Sequence, residues 1–568
     1  MGVFRFRCVE LLLTITVAVA MAPSLVHAGQ LVDAPVLWTA DDMRPLEETP
    51  AERDPIVHWT FYEAGFSRPT EYLLNFPRLV RRIGAPFGVE KDPESVNMNR
   101  LGEVPNSSWF TNRIGLFPLP PSALELGPNE MRGPSHDAPW SVVGAKTQGV
   151  TPGFTIEDAN GNRFLIKFGT LTAPVAPTAA GVVSQRLLWA AGYWVPQDEV
   201  VHFRPEELAL AEGVQMRDAS GHKRLMTSED LESILDRVEH MPDGRIRALS
   251  SRFLSGRPIG PFDYQGRRED DPNDTISHQY RRELRALNVF AEWLIHFDTK
   301  QQNTLDMVIE GPAGPYVRHY LIDFASTLGT GAEGFAGNWG WEVSLDPAAI
   351  VGRALGVGIA VPDYRQVQLN AEMPAAGWYE SEQFSANGFR PMMQNPAFQR
   401  MSVRDGYWAA KILSAFTDEH LRVAAAQGQY RDAATREYMA RTLAERRDKI
   451  CEYWFDRVAP MDFFIVRGKE VVWQDLGLRN SVYEGASAYR VRLRAVDAER
   501  EGNDADWTTV NRTAVRTDIS SISDEPVGTH PFVELTVQVD RGDSFGPSVR
   551  CYVSRVSGRV VEVQRDRR

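Results

Sequence analysis

Asp298, Lys300 and Asn303 stand in one short stretch, Leu294-Ile295-His296-Phe297-Asp298-Thr299-Lys300-Gln301-Gln302-Asn303. Asp323 follows at the end of an apolar run, His319-Tyr320-Leu321-Ile322. Two carboxylates and a carboxamide form a hard-oxygen donor set, which suits magnesium rather than zinc. A lysine among them suits a phosphoryl group in transit.

Such side chains need rigid supports. A helix is expected from near Ser277 to about His296, with Leu284, Leu287, Ala291, Leu294 and Ile295 on its buried stripe. Upstream, Phe154–Asp158 and Arg163–Phe168 flank Asn160-Gly161, an Asn-Gly turn between alternating stretches that predicts a β-hairpin. Pro177 to Ala191 reads as a helix, and Trp140–Val143 and Val200–Phe203 as strands, giving a small antiparallel sheet with one inserted helix. Residues 29–137 read as an irregular N-terminal extension, in which Trp109 and Phe110 are expected to pack onto a core. Residues 401–458 read as helical, with Thr417-Asp418-Glu419 capping one helix and a longer one over Ala434–Val458. Arg441, Arg446 and Arg447 are expected on a solvated face of the latter. Short alternating strands after Pro460 predict an all-β, sandwich-like domain over 461–568.

Taken together, these residues resemble the catalytic core of protein kinases, whose catalytic loop reads His-Arg-Asp-Leu-Lys-x-x-Asn and whose metal strand ends in Asp-Phe-Gly. His296, Asp298, Lys300 and Asn303 match the loop's offsets, and Asp323-Phe324 stands where Asp-Phe-Gly would. Lys167 matches the strand lysine that holds the α and β phosphates. The helix Pro177–Ala191 stands in the place of helix C. Gly144, Gly149 and Gly153 lie where a phosphate-covering loop belongs, without the family's Gly-x-Gly-x-x-Gly spacing. The resemblance spans residues 138 to 330, and the helices to 458 complete a large lobe. It implies an α+β, two-lobed protein-kinase-like fold: a small antiparallel-sheet lobe over 138–265 and a helical lobe over 266–460. It further implies that Asp298 orients and deprotonates an acceptor hydroxyl, and that Lys300 balances charge on the γ-phosphoryl group. Asn303 and Asp323 would hold Mg2+ against ATP.

The sequence also departs from the family. Phe297 replaces the Arg that docks a phosphorylated activation loop, which implies independence of such phosphorylation. Ala325 replaces Gly, which stiffens the turn after the metal strand. Helix C offers Gly181 and Gln185 but no Glu in its first turns, so the Lys–Glu pair of the family lacks its usual acid here, with Glu199 and Glu157 as candidate substitutes. The pattern is similar to divergent kinase-like families, such as the spore-coat CotH-type and secretory-pathway kinases. It leaves several functions open. One is a phosphotransferase moving a phosphoryl group from Mg-ATP to a hydroxyl of a protein, sugar or small molecule. Others are a catalytically silent nucleotide binder, a cell-envelope interaction protein and a metal-dependent phosphoester hydrolase. Trp339-Gly340-Trp341-Glu342 follows the metal strand, where kinases bind acceptors.

Bulk properties narrow the field. A chain of 568 residues, 43% hydrophobic and 24% charged, has ample material for several cores. Its net charge of -13 disfavours nucleic acid as a partner. Arg5 and Arg7, the apolar run Leu11–Ala20 and Val26-His27-Ala28 read as a cleavable export signal over residues 1–28. This predicts a secreted or periplasmic protein with no membrane span after cleavage. Cys451 and Cys551 would remain, either as one bridge or as two buried thiols. The chain contains no Gly-x-Ser-x-Gly elbow, His-Glu-x-x-His or Walker loop.

Overall fold

The computed structural model describes residues 29–53, 62, 94–145, 153–217, 222–331, 334–335, 340–341, 367–483, 488–510, 515–523, 527–541 and 544–568. Residues 1–28, read above as an export signal, and Gly149, Trp339 and Glu342 lie outside them. The fold is α+β.

The first sheet is built from β1 (Trp140–Ala145), β2 (Gly153–Glu157), β3 (Arg163–Lys167), β4 (Gln197–Phe203), β5 (Leu208–Leu210) and a later strand. Next come a small ribbon, β6 (Gln215–Arg217) and β7 (Lys223–Leu225), and then β8 (Ile246–Arg252), which completes the sheet in the order β4-β8-β3-β2-β1-β5. The hairpin β2–β3 turns at Asn160-Gly161, with Asp158 accepting the backbone N–H of both Asn160 and Asn162. The sheet is not wholly antiparallel as expected, because β5 joins β1 in parallel. A short connection explains this. Only Arg204–Glu207 separate the end of β4 from the start of β5, and such a link reaches at most about 18 Å. Six strands laid flat span about 24 Å, so the sheet must curl until its two edges approach. Trp140 on β1 and Phe203 on β4 accordingly have ring centroids 5.1 Å apart. They share a core with Phe154, Ile156, Phe164 and Ile166, which helix α3 (below) closes.

Three of the described helices precede or cover the central body. The only helix described between residues 94 and 139 is α1 (Ala123–Leu126). Next is α2 (Ala176–Ala191), made mostly of small and apolar residues, with Gln185 and Arg186, and buried at every residue except Trp189. It ends at Gly192, at φ 132°, where a Cβ would stand 2.2 Å from the Phe110 ring, so only glycine fits. The anchoring expected of Phe110 is therefore direct, and Trp109 stacks on His319 with ring centroids 3.5 Å apart. Helix α3 (Ser228–Leu235) is capped by Thr227.

The helical body is formed by α4 (Arg282–Leu294), α5 (Val403–Leu413), α6 (Asp418–Gln427) and α7 (Ala433–Phe455) around one large core that also receives α2. Helix α4 starts later than expected. Asp274 accepts from both His278 (2.7 Å) and Arg281 (3.2 Å), which holds residues 278–280 in a separate 3-10 turn. The solvated face expected on α7 is a second correction. Arg446 is buried, donates to the carbonyls of Trp293, Glu380 and Glu292, and lies over the Phe384 ring at 3.8 Å. Arg447 is buried too and donates to the Phe416 carbonyl. These arginines close the open carbonyls of neighbouring segments. The body also carries β9 (Arg257–Pro258) and the hairpin β10 (Thr304–Gly311) and β11 (Gly314–Leu321). A two-residue pair follows, β12 (Thr330–Gly331) with β13 (Gly334–Phe335).

After α7 the chain forms two antiparallel sheets. One contains β14 (Met461–Arg467), β15 (Glu470–Asp475) and, further on, β18 (Arg516–Asp518). The other contains β16 (Ala488–Val496), β17 (Thr508–Val510), β19 (Phe532–Asp540), β20 (Val549–Ser554) and β21 (Val560–Arg565). Trp473 and Met461 from the first meet Tyr489, Leu535 and Val549 from the second in one core. Cys551 lies in that core and Cys451 in the helical one, and both are free thiols. Burial pushes both thiol pKa values up. Among the described residues, no helix is long and apolar enough to cross a membrane.

Candidate functional site

Helix α4 ends at Ile295, which adopts a left-handed φ of 49° and turns the chain sharply into the loop 296–303. His296 is buried, its backbone N–H is held by the Ala291 carbonyl at 2.8 Å, and its ring meets the Phe324 ring edge-on at 5.7 Å. That contact joins the loop to the segment after β11. Burial lowers the His296 pKa, which favours the neutral imidazole. Phe297 is buried, and its carbonyl accepts from Met392 N–H at 2.8 Å. An apolar anchor thus stands where the family resemblance has an arginine.

The four polar residues come next. Lys300 Nζ lies 2.9 Å from the Asp298 carboxylate. Asn303 Nδ2 donates to the Asp298 carbonyl (2.8 Å) and carboxylate (3.0 Å). The carboxamide nitrogen is thereby committed, and the oxygen is the atom left to ligate a cation. Thr304 pairs with Leu321 in the β10–β11 hairpin, and the Ile322 N–H donates to the Asn303 carbonyl at 3.0 Å. This register brings Asn303 and Asp323 to the same end of one hairpin. Asp323 is held at φ 62°, a left-handed conformation that costs a non-glycine residue of order 1 kcal/mol.

Lys167 reaches the group from the other side. It sits at the end of β3, and its Nζ lies 3.1 Å from Asp323 Oδ1. The sheet and the helical body thus meet in this ion pair. Gly153 is directly opposite Lys167 in the β2–β3 register, and Gly144 stands at the bulge of β1. The two glycines flank the 146–152 segment, with Gly149 outside the described residues. Helix α2 backs the pair. At Gly181 an added Cβ would be 3.2 Å from Leu249 and 3.9 Å from the Ala325 backbone, and Ser184 Oγ bonds Thr327 Oγ1 at 2.7 Å. The small residues of α2 let it lie close along the segment that follows Asp323.

The two carboxylates expected to fix Lys167 do not do so. Glu199 is committed to Arg186 (2.9 Å) and Asn129 (3.2 Å), and Glu157 to Arg163 (3.0 Å). Strand alternation turns Glu199 away from the face that carries Lys167. Gln185 is taken up by the Pro196 carbonyl and Asn129. Sequence reasoning missed Asp198, which is buried on β4. Burial pushes its pKa up to about 6, against the pull of a Ser251 hydrogen bond and of the Lys167 and Arg186 charges. The available signal was strand parity, which puts Asp198 and not the adjacent Glu199 on the face that carries Lys167.

Among the described residues, no group of three or more His, Cys, Asp or Glu side chains could cage a metal. Magnesium does not require one, since it commonly takes one or two protein oxygens and completes its shell with phosphates and water. A carboxylate held in a strained conformation and a carboxamide whose nitrogen is already engaged fit that role. Trp341 packs near Gly388, where an added Cβ would lie 3.1 Å from its ring. This is a packing role.

No family model and no curated protein matches the chain. Two solved structures overlap it loosely. The Golgi casein kinase with Mn/ADP bound is 8% identical, with a TM-score of 0.27 over 56% of this chain and 72% of that one. A second structure of the Golgi casein kinase is 9% identical, with a TM-score of 0.28 over 72% and 92% of the respective chains. Overlaps this loose carry no argument about the chemistry.

Proposed function

We propose that the chain is a kinase-like phosphotransferase with a two-lobed arrangement, moving the γ-phosphoryl group of Mg-ATP to an acceptor hydroxyl. The observation that carries this reading is the 3.1 Å ion pair between Lys167, from the sheet, and Asp323, from the helical body. It lies beside an Asp298 that shares its carboxylate with Lys300 and Asn303. In this reading Asp298 receives the proton of the acceptor hydroxyl as the new oxygen–phosphorus bond forms and the bond to the ADP oxygen breaks. Asn303 holds the Asp298 carboxylate in place, and Lys300 supplies positive charge beside the transferred group. Lys167 grips the inner phosphates, with Gly153 opposite it in the hairpin. Mg2+, held by Asn303 Oδ1 and Asp323, would neutralise charge building on the phosphate oxygens. Catalysis of this kind is mostly positioning and electrostatics, so few groups suffice.

The absence of any acid on α2 favours a second reading, a nucleotide-binding protein without transfer. Export to a secreted or periplasmic location belongs to the proposal through residues 1–28. The acceptor would be a protein, sugar or small-molecule hydroxyl. The test is transfer of label from γ-labelled ATP with Mg2+, using the chain itself and a panel of hydroxyl compounds as acceptors. Transfer that is lost in Asp298→Ala supports the phosphotransferase. ATP binding without transfer supports the second reading. Release of free phosphate without an acceptor would point to a hydrolase instead.

A further inference from the structure

Lys167 needs more than one carboxylate in the proposed cycle. Asp323 would turn to a cation when nucleotide binds, and the lysine must then be held by something else. Helix α2, which runs alongside, contains no acidic residue. Glu199 and Glu157 have other partners.

The sheet register supplies a candidate. Ser251 on β8 pairs with Asp198 on β4 and with Leu165 on β3, so the three residues form one row across three strands. Lys167 is two residues beyond Leu165, and therefore presents its side chain on the same face as Asp198. Two strand spacings, roughly 10 Å, separate β4 from β3, and the flexible four-carbon stem of a lysine suits such a diagonal reach. Asp198 is 2% exposed, and its Oδ1 has no hydrogen-bond partner. Its backbone is fixed at the same point, because the Asp198 carbonyl accepts from Asn129 (2.7 Å) and Arg186 (3.0 Å). Ser251 bonds the side chain, and the charges of Lys167, Arg186 and Asp323 act on it. A buried carboxylate oxygen with no partner is costly. It is tolerated where something else uses it.

We propose that Asp198 is the positioning residue for Lys167, supplying from the edge strand β4 the carboxylate that α2 lacks. The inference rests on the phosphotransferase or nucleotide-binding reading. It predicts that Asp198 acts only through Lys167.

The experiment is a double-mutant cycle read by calorimetric titration of Mg-ATP into wild type, Asp198→Asn, Lys167→Met and the double variant. Asp198→Asn is isosteric and keeps an acceptor for Ser251. Affinity should fall about tenfold in each single variant, and the double variant should be no weaker than Lys167→Met alone. Asp198→Glu should recover part of the loss. Thermal melting of each variant separates this from misfolding, and Ser251→Ala gives a second, milder route to the same coupling. If wild type does not bind Mg-ATP, the functional reading falls and takes this inference with it. If wild type binds and Asp198→Asn binds equally well, or if the two losses add, only the Asp198 assignment is overturned.

Discussion

Two buried aspartates lie near lysines in this molecule, and their surroundings push them in opposite directions. Asp462, at the joint between the helical body and the C-terminal sheets, faces Lys411 (2.9 Å) and Arg565 (2.8 Å). It also accepts from Tyr407 Oη (3.1 Å) and the Phe463 N–H (2.7 Å). Burial raises its pKa, but the two cations and the hydrogen bonds outweigh burial and bring it down to about 2. Lys411 is shared with Glu103, so the Asp462 carboxylate sits in a network of ion pairs. Asp198, on β4, has one hydroxyl bond, and burial pushes it up to about 6 against the Lys167 and Arg186 charges. The same residue type is therefore spent on cohesion at the joint and kept under-satisfied at the cleft. An acid whose pKa burial raises beside the candidate site, rather than one held down by two cations, is the kind of group that functional sites collect.

The comparison breaks first at the joint. Asp462→Asn leaves Lys411 and Arg565 facing a neutral group in a buried setting, and should cost about 3–5 kcal/mol in urea unfolding. The pH dependence has a definite sign. The folded-state pKa is depressed, so the contribution of Asp462 is complete above about pH 4 and is lost as pH falls through about 2. The variant should show a flatter acid limb over that window. Transfer per folded molecule should be unchanged. An unchanged urea midpoint would mean that the ion pairs at the joint do not signify cohesion.

The second break is at the cleft. Asp323→Ala should lower phosphoryl transfer by about 10²–10³-fold, or roughly 3–4 kcal/mol of barrier, while leaving the melting temperature near wild type. Asp298→Ala should act similarly on transfer and leave Mg-ATP binding largely intact. A variant that loses fold and activity together would move Asp323 into the same class as Asp462.

How much of this was legible beforehand follows the same division. The loop 296–303, Asp323 and the hairpin bearing Lys167 were readable because local chemistry dictates them: an Asn-Gly turn, an apolar stripe and a fixed spacing of charged residues. Three features were not. The parallel joining of β5 depends on how far the sheet curls, which a short link decides and no residue pattern records. Arg446 and Arg447 look solvated by composition, but their burial depends on carbonyls from segments far away in the chain. Asp198 was passed over because Lys167's partner was sought among glutamates, whereas strand parity decides which of two adjacent acids faces the cleft.

Asp198→Asn should separate stability from function with a smaller effect. Its folded-state pKa is raised, so stability from this group is present below about pH 4 and lost as pH rises through about 6. Removing the charge should therefore stabilise the ligand-free protein at pH 7.5 by roughly 1–3 kcal/mol, and the gain should vanish near pH 4. Differential scanning calorimetry across that range is the check. A variant less stable than wild type at pH 7.5 would make Asp198 a cohesive residue and erase its contrast with Asp462.

The smallest effect tests whether charges or packing govern the cleft. Ser184 and Thr327 form a buried hydroxyl pair between α2 and the segment after Asp323, and Thr327 Oγ1 also donates to the Phe324 carbonyl at 2.8 Å. Ser184→Ala removes one bond but leaves Thr327 a partner, so it should cost only about 1 kcal/mol in unfolding. Its effect on transfer should be smaller still, since the Lys167–Asp323 pair does not pass through the hydroxyl. If transfer falls in Ser184→Ala as far as in Asp323→Ala, the seating of α2 rather than the carboxylates controls the site. The difference between the two aspartates would then be a by-product of packing.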